Sequence, residues 1–208
     1  SKSKFYEVKN NPLRAATIVM YESGDTPTEN AIVAAVLAPG KSIIRMASAN
    51  YMVQDLCYFL CQAGAKIEGI GTTTLLIEGV KNLKPVLNYS IMPDPIAAMT
   101  FLSAAIVTDS HLTITNCPMD FLDLELYKLE KMGQKLLVKN ERKYKAGQFR
   151  IADIEVWPSK LKALPDKIYG RPFPGLNIDN LPLFVPVLAK SKGRTLVHDW
   201  AYENRSVY

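Results

Sequence analysis

A mixed α/β (α+β) fold, assembled from repeated strand-helix-strand-helix-strand-strand units, is what this sequence predicts, on three observations. The first is the stretch 26–40, T-P-T-E-N-A-I-V-A-A-V-L-A-P-G, which is punctuated as a helix from end to end. Thr26 is placed to cap the first turn, Pro27 stands where a missing N–H costs nothing, and Glu29 completes a capping box. The interior from Ala31 to Ala38 carries no charge, which predicts a helix buried on every side, and Pro39-Gly40 ends it. The second observation is that this element recurs. Asp94-Pro95 repeats the cap-and-proline start, and Ala34-Ala35-Val36 is echoed 70 residues on by Ala104-Ala105-Ile106. A weaker third copy runs from Asn177 to Gly193. The third observation is that the helix end Ala63-Gly64-Ala65-Lys66 has its own echo in Met132-Gly133-Gln134-Lys135. A period this long lies outside the short solenoid repeats and points to duplicated units with two helices each.

In chain order, residues 5–8 read as a strand ending at Asn10-Asn11-Pro12, and 15–21 as a second, through Thr17-Ile18-Val19-Met20. Glu22 to Asp25 form a polar turn into the apolar helix, whose free N–H groups and positive dipole end offer a seat for an anion. A strand at 42–46 follows. Residues 51–63 make an amphipathic helix with Met52, Leu56, Phe59, Leu60 and Ala63 on one face, stopped by Gly64. Segments 66–70 and 74–78 pair as a hairpin around Gly71. The next unit repeats the order: strand 88–92, helix 94–108, strand 111–115, helix 121–132, then strands 135–138 and 148–154 across a basic turn. Asp120 is placed to cap the second of those helices, and Leu122, Leu126 and Leu129 share its face. A third unit opens with strand 154–157 and passes through Pro158, Pro165, Pro172 and Pro174 to the third helix and a strand at 195–198. The chain stops at Tyr208, where that unit's second helix is expected, so the third unit reads as truncated.

Composition narrows the function classes. Hydrophobic residues at 48% and charged ones at 22% exclude a disordered chain. No apolar run reaches the roughly 18–20 residues of a membrane span, and the start S-K-S-K is no signal peptide. Three cysteines without metal-type spacing fit a reducing cytoplasm. Cys57 and Cys61 lie one helical turn apart on an apolar helix and read as packed thiols. The two histidines, His111 and His198, are far from them in sequence, so no metal site is expected. The basic run between Lys128 and Lys145 has few aromatics in it and reads as a solvated helix face and loop, with no nucleic-acid partner.

Beyond these elements, particular motifs carry a resemblance. Y-E-S-G-D-T-P-T-E-N-A-I-V-A-A-V-L-A-P-G at 21–40, Gly64-Ala65-Lys66-Ile67, and G-T-T-T-L-L-I-E-G-V at 71–80 resemble the UDP-N-acetylglucosamine enolpyruvyl transferases, the 1-carboxyvinyltransferases. M-P-D-P-I-A-A-M-T-F at 92–101, F-P-G-L-N-I-D at 173–179 and E-N-R at 203–205 are similar to further motifs of that family, in the same order. The related shikimate-pathway enolpyruvyl transferase shares the fold and fits these motifs less well. The resemblance covers essentially the whole chain. It implies inside-out α/β barrels, three units to a domain, with the apolar helices inside and the sheets outside. It further implies that residues 1–88 complete one domain and 89–208 begin the other; the alternative partition is a single three-unit domain over 1–208. In that register the chain is a piece of a longer enzyme, and self-association through its uncovered apolar surface is expected.

The activity implied by the resemblance joins the enolpyruvyl group of phosphoenolpyruvate to a hydroxyl of UDP-N-acetylglucosamine and releases phosphate, for peptidoglycan precursor synthesis, with no cofactor. Such chemistry needs a base for the hydroxyl, an acid for the vinyl carbon, and cations around phosphate and carboxylate. Asp179 matches the family aspartate beside the sugar hydroxyl, the candidate base; its place at a predicted helix start equally suits a plain N-cap. Arg205 matches an active-site arginine and Glu203 its companion carboxylate, the other reading being a surface ion pair. Asp94 matches an aspartate at the family's domain junction, or is an N-cap. Gly24, Asp25 and Thr26 occupy the turn that touches the nucleotide in relatives, where the family has serine-valine-glycine; the added carboxylate of Asp25 repels a diphosphate. Met52 stands for a glutamate, and Pro95 and Met99 for an arginine and a glycine. The family's loop cysteine and its N-terminal lysine and asparagine fall outside this chain, and none of Cys57, Cys61 and Cys117 matches that cysteine. A divergent or inactive relative that binds an anionic sugar or phosphate without turnover is the competing expectation, and a domain kept only as scaffold is a third. The 208-residue chain by itself is expected to turn over little or nothing.

Overall fold

Between Thr17 and Glu78 the order strand-helix-strand-helix-strand-strand is realised in full, as β1 (Thr17–Val19), α1 (Asp25–Ala35), β2 (Lys41–Arg45), α2 (Tyr51–Gln62), β3 (Lys66–Glu68) and β4 (Thr74–Glu78). The computed structural model from which this is read describes residues 7, 9, 12–144 and 149–201. The chain divides into two compact units, Ser1–Ser90 and Ile91–Tyr208. In the first, the sheet order is β1-β2-β4-β3, with β1 and β2 parallel and the other pairs antiparallel. The parallel pair needs a crossover, which α1 supplies. Alternation puts Ser42 and Ile44 of β2 and Leu75 and Ile77 of β4 on the covered face, against Ile32 and Val36 and against Val53, Cys57 and Leu60 of α2. Gly79 makes the approach to α1 possible: a Cβ there would lie 1.8 Å from the Ala38 carbonyl oxygen.

The second unit holds α3 (Pro95–Val107), β5 (Leu112–Pro118), a 3-10 turn (Met119–Phe121), α4 (Asp123–Lys131), β6 (Leu136–Lys143), β7 (Arg150–Val156) and α5 (Leu181–Lys190). Its sheet runs β5-β7-β6, antiparallel throughout, which is the arrangement of β2-β4-β3 over again. Backbone punctuation repeats with it. Left-handed φ angles fall on Gly40 and Asp109, Met46 and Asn116, Gly64 and Gly133, and Gly71 and Asn140, each pair 69 or 70 residues apart. Asn116 and Asn140 lie where the strand register shifts, each an extra residue in a bulge. α5 lies along α3, with the Ser103 hydroxyl donating to the Leu183 carbonyl (2.8 Å) and Lys190 Nζ to the Ile106 carbonyl (2.7 Å). The parallel bridge between Ile168 and Val197 brackets α5 as β1 and β2 bracket α1, so a third unit begins here.

Several expectations are corrected. α1 starts at Asp25 with Gly24 as its N-cap, so Thr26 is inside the helix and no capping box forms. Neither α1 nor α3 is buried all round: α1 exposes Val33, with Leu37 exposed just past its end, and α3 exposes Phe101 and Val107. On α2 the covered seam is Val53, Cys57 and Leu60, while Met52 and Phe59 face out. Both stripes are apolar in sequence, and only packing against β2 and β4 selects one. No strand forms at 88–92, and 154–156 is the end of β7, which is paired on both sides within the second unit's sheet and so does not open the third unit. Asp120 does not cap α4; its carboxylate takes Arg150 Nε (2.6 Å) and the Arg150 N–H (2.9 Å), and a 3-10 turn fills the gap. At 195–198 a single bridge stands in place of a strand, and the third helix begins only at Leu181. The strand expected at 5–8 lies, but for Glu7, outside the described residues.

Candidate functional site

Of the predicted residues, Gly24, Asp25 and Thr26 lie together in the first unit, and Asp179 and Asp94 lie at two helix heads in the second. In the first unit Gly24 is extended and has no side chain to cap α1. The buried Thr28 hydroxyl closes the turn, donating to the Gly24 carbonyl (2.7 Å) and accepting from the Ser48 N–H (3.0 Å). Asp25 turns its carboxylate sideways: Ser48 Oγ donates to Oδ1 (2.5 Å) and Asn50 Nδ2 to Oδ2 (2.9 Å). Asn50 is itself the N-cap of α2, its Oδ1 accepting from the Tyr51 N–H (2.9 Å). One carboxylate therefore stands at the start of α1 and beside the start of α2, where both dipoles favour it. Thr26 is exposed on the first turn, and its carbonyl accepts from Asn30 Nδ2 (2.9 Å). Burial, and then the Asp25 charge, push Glu29 above the usual carboxylate range. In the sequence, the signal for this network is the run of short polar residues S-A-N before α2, whose partner at Asp25 lies too far away for a local rule to supply.

In the second unit the loop 170–180 carries Asp179. It folds back on itself through Arg171 N–H to Leu176 O (2.8 Å) and Gly175 N–H to Pro172 O (2.9 Å), and Trp200 Nε1 donates to the Gly170 carbonyl (2.9 Å). Gly175 allows the tight return, since a Cβ there would meet Arg171 Cβ at 2.4 Å. Asp179 is at the end of this loop, exposed, with its N–H held by Asn177 Oδ1 (2.8 Å). The N-cap of α5 is Asn180, so Asp179 is not the cap that one reading made it. Beneath the turn lies Glu125, 2% exposed, whose Oε1 accepts from the Asn177 N–H (3.1 Å) and from Asn180 Nδ2 (2.9 Å). Burial pushes Glu125 up, against the pull of those two hydrogen bonds. Glu125 was not singled out from the sequence, although a carboxylate between Leu122, Leu126 and Leu129 on an apolar face is a visible anomaly.

Asp94 is a true N-cap, its Oδ1 accepting from the Ile96 N–H (2.8 Å) at the head of α3. The Ser103–Leu183 and Lys190–Ile106 bonds make α3 and α5 run the same way, so the ends carrying Asp94 and Asp179 face the same side of the second unit. The opposite end holds an open cleft of about 800 Å³ lined by Lys160, Lys162, Lys190 and Lys192. Lys190 there also reaches the Val107 carbonyl (3.1 Å) and Asp109 (2.6 Å), a cation on the helix C-terminus. Glu203 and Arg205 lie outside the described residues.

Burial pushes the Cys57 thiol up to about 12 and the Cys117 thiol up to about 11, so both are packed, protonated thiols. In the basic stretch, Lys139 pairs with Glu155 (2.5 Å) and Arg142 with Asp153 (3.6 Å). No group of three or more metal-ligating side chains is found among the described residues, and no helix among them is long and apolar enough to cross a membrane.

Comparison with known proteins identifies the family of the chain. The chain is 35% identical over 181 residues to UDP-N-acetylglucosamine 1-carboxyvinyltransferase 2 of Caldanaerobacter subterraneus subsp. tengcongensis, covering 87% of this chain and 40% of that protein. It is 31% identical over 204 residues to UDP-N-acetylglucosamine 1-carboxyvinyltransferase of Geotalea daltonii, covering 98% of this chain and 46% of the relative. The chain thus spans less than half the length of these curated relatives. Among solved structures, the enolpyruvyl transferase NikO from Streptomyces tendae superposes with a TM-score of 0.75 at 21% identity, over 93% of this chain and 46% of that one. EPSP synthase from Acinetobacter baumannii gives 0.66 at 23% identity, over 89% and 40%. These two establish the fold. Residues 3–175 match the model of EPSP synthase (3-phosphoshikimate 1-carboxyvinyltransferase), more than half of the sequence, and the chain belongs to that family.

Proposed function

We propose that this chain is part of an enolpyruvyl transferase that moves the enolpyruvyl group of phosphoenolpyruvate to a hydroxyl of UDP-N-acetylglucosamine. Asp179 is the base. The observation that carries the reading is the turn 177–180, a loop fastened from below that places the exposed residue Asp179 at the head of a helix. In the reaction the hydroxyl oxygen bonds to C2 of phosphoenolpyruvate as its proton passes to Asp179 and a proton is added at C3. Loss of a C3 proton then re-forms the double bond as the C2–O bond to phosphate breaks. Arg205 is assigned to the phosphate and carboxylate charges, with Glu203 as its partner. Asp94, Gly24, Asp25 and Thr26 are assigned to substrate binding.

The same reading has the units as pieces of two inside-out barrels, residues 1–88 closing one and 89–208 opening the other, in a cytoplasmic enzyme of peptidoglycan precursor synthesis. A single three-unit domain over 1–208 is the alternative partition. The exposed apolar residues Val33, Leu37 and Phe101 support self-association of the chain when it is made alone.

The acceptor is the point on which a second reading has support, because Asp25 replaces a neutral residue in the turn assigned to the nucleotide. Phosphate release from phosphoenolpyruvate by the full-length polypeptide that carries this chain separates the readings. Release that depends on UDP-N-acetylglucosamine supports the transferase as stated. Release only with 3-phosphoshikimate moves it to the other acceptor class. No release with either, but a raised Tm with phosphoenolpyruvate, makes it a binding protein without turnover.

A further inference from the structure

We propose that Glu125 is a positioning residue for Asp179: its buried carboxyl group fixes the turn 177–180 from below and so sets where the Asp179 side chain stands. This rests on the reading of Asp179 as the base. Glu125 lies in the first turn of α4, far in sequence from the loop it holds, and a single oxygen gathers two donors from that loop. One donor is the Asn177 main chain. The other is the Asn180 amide, on a side chain with no exposure at all. Asn177 passes the constraint on directly, since its Oδ1 takes the Asp179 N–H (2.8 Å) and its carbonyl takes the Asn180 N–H (3.0 Å). Asp179 therefore has a fastened residue on either side of it, both fastened to one group.

A bare structural role would be met more cheaply by an apolar residue. Glu125 lies against Leu122, Leu126 and Leu129, where burying a carboxyl group costs free energy that only its hydrogen bonds offset. The first unit supplies an independent parallel. On that unit's second helix Asp55, one residue before the position that matches Glu125, accepts from the Tyr89 hydroxyl on Oδ1 (2.8 Å). Tyr89 is in the segment that precedes Asp94 in sequence. In both repeats a carboxyl group on the second helix holds the stretch of chain that leads toward the next repeat's first helix. Only in the second does that stretch present the candidate base.

The test compares Glu125→Gln, Glu125→Leu, Asn180→Ala and, as a control on the same helix face, Leu126→Ala, in the full-length polypeptide. Glu125→Gln keeps an acceptor oxygen and is expected to retain kcat close to the parent value. Glu125→Leu is expected to lose about 100-fold in kcat with KM little changed, the scale of a misplacement of about 1 Å. Asn180→Ala, which removes one of the two bonds, should fall between. Leu126→Ala should lower Tm without a comparable loss of kcat. Amide exchange at 177–180 in the 208-residue chain should quicken in Glu125→Leu and not in Glu125→Gln, a readout that needs no activity. A Glu125→Leu protein with parent kcat, or one that loses no more than Leu126→Ala, overturns the proposal while Asp179→Asn inactivity leaves the base in place. An active Asp179→Asn protein overturns both.

Discussion

α1 and α3 occupy the same place in two copies of one repeat, yet they are buried differently. Val33 of α1 is 52% exposed, whereas Ser103, its counterpart on α3, is 5% exposed under the Leu183 carbonyl. Ser103 is covered because α5, from the following repeat, packs against this part of α3, and the corresponding face of α1 has no such neighbour among the described residues of its unit. Both helices read as uniformly apolar in sequence. What that composition reports is the number of neighbours a helix is made for. Which of those neighbours belong to the same stretch of chain is a separate matter, and here it separates two otherwise matched elements.

The comparison is easiest to break at α5. Phe184 is fully buried, and Phe184→Ala is expected to cost about 3–5 kcal/mol in urea unfolding of the second unit. Val33→Ala should stay within about 0.5 kcal/mol. Equal effects would mean that α1 is covered after all. A smaller difference lies at the helix heads. Asp25→Ala removes the acceptor of Ser48 and Asn50 and should cost about 1–3 kcal/mol, by leaving those donors unpaired. Asp94→Ala removes an N-cap bond worth about 1 kcal/mol. If Asp94→Ala proved the more damaging, the network at the first head would be ornamental.

pH sharpens the contrast between carboxyl groups within the second unit. Glu125 is raised by burial, so the folded protein keeps a proton there that the unfolded chain releases above about pH 4.3. Its contribution to stability is full below that pH and falls as pH rises toward the raised value. Asp153 and Glu155 behave oppositely: the hydrogen bonds from Asn140 and from Lys139 hold them low, and their contribution is lost as pH falls through their lowered values. Glu125→Gln should flatten the decline on the alkaline side of that window and leave the acid limb unchanged, as read from unfolding free energies across pH. The smallest effect concerns the shared left-handed positions. Asn116 suits its φ of 59°, but Met46 at 58° does not, so Met46→Gly should change stability by less than about 1 kcal/mol, relieved strain opposing unfolded-state entropy.

Much of the architecture was legible because it is local and repeated. Gly64 and Gly133 end their helices where the sequence placed the ends, and the hairpin 66–78 formed as read. Helix starts were less legible. Thr26 and Asp120 each have the composition of a cap, but Asp25 found Ser48 and Asn50, and Asp120 found Arg150, partners 23 to 30 residues away that no local rule foresees. The same holds at the site. Asp179 was visible through its motif, whereas the group that holds its turn comes from α4, 52 residues upstream of Asn177. An isolated carboxylate on an apolar helix face was the only trace of it in the sequence.

The role proposed for Asp179 is to take the proton of the acceptor hydroxyl. Single-turnover phosphate release by the full-length polypeptide carrying Asp179→Asn, at saturating phosphoenolpyruvate and UDP-N-acetylglucosamine, tests it most directly. A loss of about 10²–10⁴-fold is expected, with both ligands still bound and Tm unchanged. Release at the parent rate would contradict it.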